Sequence, residues 1–216
     1  MTYVFLFFIP GAAGNFLSRC LNLLDGACCW SDNGYIPVTL EEKLQLLNYK
    51  SVLGRSDAGP NWVLEWEKRV SQYRYCGPAV DTIKIAIWPG HPADGLLKKK
   101  LIGKDDRTLT IYIDPSDAFE WATLNALYKN SYIDVDWLKE GANMIEDSSI
   151  YKISLADIIR DEESFVLEIL RICIRIGHAL TENEKSAIVE LYRHWKTTTL
   201  APSQFAEFKQ KIGWQL

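Results

Sequence analysis

One stretch near the amino end narrows the folds open to this chain more than any other. The apolar run Val4-Phe5-Leu6-Phe7-Phe8-Ile9 breaks at Pro10-Gly11-Ala12-Ala13-Gly14-Asn15 and resumes as Phe16-Leu17-Ser18-Arg19-Cys20-Leu21-Asn22-Leu23-Leu24. A short unbroken apolar run ended by a Pro-Gly pair reads as a buried strand, and the segment after the break reads as a helix. The two glycines and two alanines between them leave backbone N–H groups uncovered at the start of that helix. Those groups and the helix dipole can hold a phosphate or sulfate. The same small residues also suit a plain packing turn. A nucleotide-triphosphatase loop, G-x-x-x-x-G-K-[ST], needs lysine after its last glycine, where this chain has Asn15, and the loop is not G-x-G-x-x-G either.

The 216 residues suit one domain with a sizeable core. Hydrophobic residues at 48% and charged ones at 24% exclude wholesale disorder. A net charge of -4 argues against a protein that grips nucleic acid through its overall field, while leaving room for a local pocket for one small anion. The amino-terminal apolar run is too short to span a bilayer and lacks a basic start, so the expectation is a soluble, cytoplasmic protein with neither membrane nor nucleic acid as partner. Cys20, Cys28, Cys29, Cys76 and Cys173 have no C-x-x-C spacing and only three histidines for company. They read as reduced core or boundary residues, with no metal site.

Along the chain, residues 28–34 read as a loop. Residues 40–49 read as a helix capped by Thr39 and Glu42, and residues 62–73 as another with Trp62, Trp66 and Val70 on one stripe. A strand is expected over 81–88, ending at Pro89-Gly90-His91-Pro92, and another over 109–113, ending at Asp114-Pro115. A helix to about Lys129 follows, with Asp117 and Glu120 as its capping pair and Phe119, Ala122, Ala126 and Leu127 as its apolar positions. Residues 150–154 form the last strand. Helices are expected over 161–176, from the Thr181/Glu184 cap to Trp195, and over 203–212. Strands separated by helical segments imply a parallel sheet with helices on both faces and a ligand crevice at the carboxyl ends of the strands.

The order of these signals resembles the sulfotransferase family, enzymes that move a sulfuryl group from 3'-phosphoadenosine 5'-phosphosulfate to a hydroxyl or amine. The Pro10 to Phe16 segment is similar to the family's P-[KR]-S-G-T-[TS] loop, Pro89-Gly90-His91-Pro92 to its K-T-H-x-P, and Ile113-Asp114-Pro115-Ser116-Asp117 to its R-x-P-x-D. Asp157-Ile158 and Arg175-Ile176-Gly177 are similar to its later D-L and F-L-G signals. The resemblance implies a three-layer α/β/α fold with a central parallel sheet and P-loop NTPase-like architecture. It implies a single domain over 1–216 with a divergent helical segment at about 35–76. Where the family carries a loop Lys or Arg, a 3'-phosphate Arg and a helix Ser, this chain has Ala12, Ile113 and Trp121.

The resemblance makes His91 the candidate base, and a neutral imidazole suits that task. It places the 5'-phosphosulfate on Gly11, Ala12, Ala13, Gly14, Asn15 and Phe16, with Ser18 as an added donor. Arg19, Lys84 and Ser116 are auxiliary candidates, the first two as substitutes for the missing loop cation. The acceptor is a small molecule, glycan or peptide of unspecified identity. The alternative is a module of the same fold that binds an anion or nucleotide and no longer transfers.

Overall fold

A computed structural model of the chain describes residues 2–29, 84–92, 107–128 and 133–198, together with Glu207 and Gln210. Its elements are β1 (Thr2–Phe7), α1 (Gly14–Asn22), β2 (Ala27–Cys29), β3 (Ile85–Gly90), β4 (Arg107–Asp114), α2 (Phe119–Tyr128), α3 (Val135–Glu146), β5 (Tyr151–Ser154), α4 (Leu155–Arg160), α5 (Glu162–Ile176) and α6 (Glu182–Thr198). The strands form a sheet in the order β2-β3-β1-β4-β5, and every pairing is parallel. The central strand β1 is bonded on both edges and covered on both faces. That is why it reads as a continuous apolar run rather than an alternating one.

The pleat divides the core. Val4, Leu6 and Phe8 share one face with Ile85, Ile87, Ile111, Ile113 and Ile153, packed against Leu17 and Leu21 of α1, Phe165, Ile169 and Ile172 of α5, and Ile188 of α6. Tyr3, Phe5 and Phe7 point the other way with Tyr112, toward Met144 and Ile145 of α3. Helices therefore cover both faces. Right-handed crossovers require this, because β1 leads toward β2 on one side and β4 leads toward β5 on the other. The two exits diverge, and the gap between them at the carboxyl edge is where α/β sheets bind ligands.

Several expectations shift. Ala27–Cys29 is an edge strand paired with β3, not part of a loop. Helix α3 was not foreseen, and the segment before the 162–176 helix is itself helical, as α4. Asp117 does not cap α2; its carboxylate takes bonds from the Ser154 hydroxyl and, at 3.2 Å, from the Ala156 N–H. Ala122 and Ala126 are buried as expected, but Phe119 and Leu127 are 42% exposed, and α2 turns Trp121, Leu124 and Asn125 inward in their place. The Thr181/Glu184 capping box forms as expected, with Thr181 N–H to Glu184 Oε2 at 2.7 Å and Glu184 N–H to Thr181 Oγ1 at 3.3 Å. Cys20 and Cys173 are buried free thiols. The helices expected over 40–49 and 62–73 lie outside the described residues, as does most of the one over 203–212.

Candidate functional site

Parallel register sets Phe7 beside both Gly90 and Tyr112, and Asp114 beside Ser154. The exits of β1, β3, β4 and β5 therefore share one edge of the sheet. After β1, the Ala12 N–H bonds Ile9 O at 3.1 Å, with Pro10 and Gly11 at the corners and Gly11 at φ 83°. This is the arrangement of a type II turn, which places Pro first and needs Gly second. Ala13 then adopts φ 60°, ψ 11° as the N-cap of α1, without a side-chain cap. A left-handed alanine costs about 1 kcal/mol, and such strain concentrates at functional positions.

The first helical bond of α1 is Leu17 N–H to Ala13 O at 2.9 Å. The N–H groups of Ala13, Gly14, Asn15 and Phe16 precede it and make no hydrogen bond to any described residue. Helices α3, α4 and α5 differ: Asp134, Ser154 and Asp161 each accept a bond from their first turn. Around the amino end of α1, Ala12, Ala13 and Phe16 are buried and Asn15 is exposed. The donors that end offers are thus backbone amides and the Asn15 side chain.

Gly14 is glycine for a packing reason: a Cβ there would lie 1.9 Å from the Phe8 ring. That ring also meets His91 edge-on, with centroids 5.6 Å apart. His91 Nδ1 lies 2.9 Å from Phe8 O. A carbonyl only accepts, so Nδ1 carries the hydrogen of the neutral ring and Nε2 carries the lone pair. The imidazole stacks on Trp137 of α3, with centroids 4.0 Å apart and planes at 21°. A hydrogen bond and two aromatic contacts fix the ring beside the first loop. Trp137 was missed because the helix bearing it was missed.

The remaining candidates part company with the loop. Ser18 is fully buried and donates to Asn15 O at 2.9 Å, so its hydroxyl serves the helix. Arg19 is exposed in the last turn of α1. Lys84 stands at the opposite edge of the sheet, its N–H on Gly26 O and its carbonyl taking the Thr2 N–H, both at 2.8 Å. The six-residue length of β1 separates it from the loop by roughly 20 Å. The Ser116 N–H and hydroxyl both turn back to Asp114 Oδ1. Ile113 and Trp121 are 0% and 6% exposed.

A separate groove of about 790 Å³ runs along β5 and α5, lined by residues that include Tyr151, Lys152, Glu168, Arg171 and Arg175. Its walls hold each other: Tyr151 Oη donates to Glu168 at 2.8 Å, Arg171 pairs with Glu168, and the Arg175 guanidinium lies 4.1 Å from the Tyr151 ring centroid. Burial and the Glu168 carboxylate push the Tyr151 phenol up to about 12. No cluster of three or more potential metal ligands occurs among the described residues, and no described helix is long and apolar enough to cross a membrane. No protein-family model matches the chain, and no curated protein matches it.

Proposed function

We propose that the amino end of α1 binds the phosphate end of a nucleotide, and that the protein is a sulfotransferase-like enzyme of P-loop-like architecture with His91 as its base. The observation that carries this reading is the pairing of an uncapped helix amino terminus, entered through a left-handed alanine, with a neighbouring histidine whose tautomer leaves Nε2 as acceptor. Bound there, 3'-phosphoadenosine 5'-phosphosulfate would supply the sulfuryl group. His91 Nε2 would take the proton of the hydroxyl or amine as its oxygen or nitrogen bonds to sulfur, and the amides of residues 13–16 with the α1 dipole would face the charge left on the phosphate as its bond to sulfur breaks.

A second reading, an anion-binding module without transfer, is favoured by the three enclosed positions Ala12, Ile113 and Trp121. Each missing charge-assisted contact is worth roughly 1.5–3 kcal/mol. Calorimetry or thermal shift with 3'-phosphoadenosine 5'-phosphate tests both readings, since a ligand at a hundred times its Kd stabilises the fold by about 2.7 kcal/mol. No shift at millimolar ligand removes nucleotide binding from both readings and sinks the enzyme. A shift, together with sulfuryl transfer that His91→Ala abolishes without loss of folding, supports the enzyme. A shift without transfer leaves the binding module.

A further inference from the structure

The first loop does not hold its shape alone. Gly11 sits against the backbone of α2 so closely that a Cβ on it would lie 1.9 Å from Ala122 O and 2.9 Å from Ala126 N. The carbonyl of the same residue accepts a bond from Asn125 Nδ2 at 3.0 Å, across 114 residues of chain. Asn125 is 1% exposed, and its Oδ1 is enclosed without a hydrogen-bond partner. The amide orientation follows from chemistry, because turning it over would set Oδ1 against a carbonyl. Asparagine thus keeps one of its polar atoms unsatisfied at this position in order to donate with the other. An apolar residue of similar size would avoid that cost if filling space were the only need.

We propose that Asn125 is a positioning residue that latches the first loop: it holds the Gly11 carbonyl toward α2 and so sets the peptide planes that lead into Ala12, Ala13 and the uncapped amides of α1. A trans peptide points its N–H opposite its C=O. Holding the Gly11 carbonyl on α2 therefore directs the Ala12 N–H back to Ile9 O, which closes the turn. Releasing it lets the glycine rotate and swing its carbonyl toward the anion side. The role in ligand binding rests on the proposed function, whereas the latch itself is testable without ligand.

The test compares wild type with Asn125→Asp, which keeps the shape and replaces the donor by an acceptor, and with Asn125→Ala, which removes the donor without burying a charge. Amide exchange of Ala12 is read by NMR beside that of Val4 and Leu6 in β1. The latch predicts exchange at Ala12 at least roughly tenfold faster in both variants with the strand amides unchanged, and partial recovery in Asn125→Asp at acidic pH, where the protonated carboxyl again donates. Unchanged loop amides overturn the latch, and so does equal acceleration of loop and strand, which marks Asn125 as a plain core residue. Titration with 3'-phosphoadenosine 5'-phosphate is scored separately. Failure of wild type to bind removes the proposed function and leaves the exchange result standing, whereas equal affinity in wild type and variants removes the latch's part in binding.

Discussion

Glu184 carries more at the residue scale than its place in a capping box would suggest. Its carboxylate accepts the Thr181 N–H and hydroxyl at 2.7 and 2.8 Å and the Asp25 N–H at 2.6 Å, and lies 2.9 Å from His178 Nε2. The start of α6 is thereby tied to the chain just beyond α1. Burial raises the carboxyl's proton affinity, but the bonds from Asp25 and Thr181 and the nearby His178 outweigh it, and the group stays below its ordinary value. The native state then holds this proton less tightly than the unfolded chain. The stability it confers is complete above the ordinary glutamate value near ~4.3 and is lost as pH falls through the lower folded value. Glu184→Gln, which turns an amide N–H toward N–H donors, is expected to cost about 1–3 kcal/mol in urea unfolding at pH 7, with the difference narrowing toward pH 3. A difference independent of pH would refute the charge-based account.

At the scale of elements, α1 and α6 run antiparallel. Glu184 meets Asp25 beyond the carboxyl end of α1, while Trp195 stacks on Phe16 in its first turn, with centroids 4.2 Å apart and planes at 9°. Phe165, Tyr192 and Trp121 complete the aromatic cluster behind the candidate site. Trp195→Ala should cost about 3–5 kcal/mol by cavity formation, measured as a shift of the denaturant midpoint; a loss under 1 kcal/mol would mean that the cluster does not anchor α6. Helix α3 shows how an element escapes notice. Trp137, Leu138, Met144 and Ile145 have helical spacing, but Gly141 stands in mid-helix, where glycine normally weakens a helix. It is there because a Cβ would come 2.4 Å from Tyr112 Oη, a contact made by another strand and invisible in the local sequence. β2 escaped for a related reason, since three residues become a strand only when β3 supplies the partner.

For the whole molecule, the strand order makes β1 the member most enclosed by its neighbours. Amides of Val4 and Leu6 are expected to exchange more slowly by at least an order of magnitude than that of Cys28 at the edge, and comparable rates would contradict the sheet order. The parallel α/β class, the strand–loop–helix at the amino end, the later strands and the α5 and α6 helices were legible because each is written in local periodicity, capping residues and turn formers, such as the Pro10-Gly11 corner and the Thr181 cap. His91 at a strand exit was legible for the same reason. Its tautomer was not, because that depends on a carbonyl 83 residues away. Nor were the stacking of Trp137, the latch of Asn125 or the remoteness of Lys84, which follow from strand order and register. By itself the sequence determined which segments could be strands and helices, since backbone preference and apolar period act over a few residues. Only the tertiary structure decided which side chains meet at the carboxyl edge, because long-range parallel pairing brings together residues that no local pattern connects.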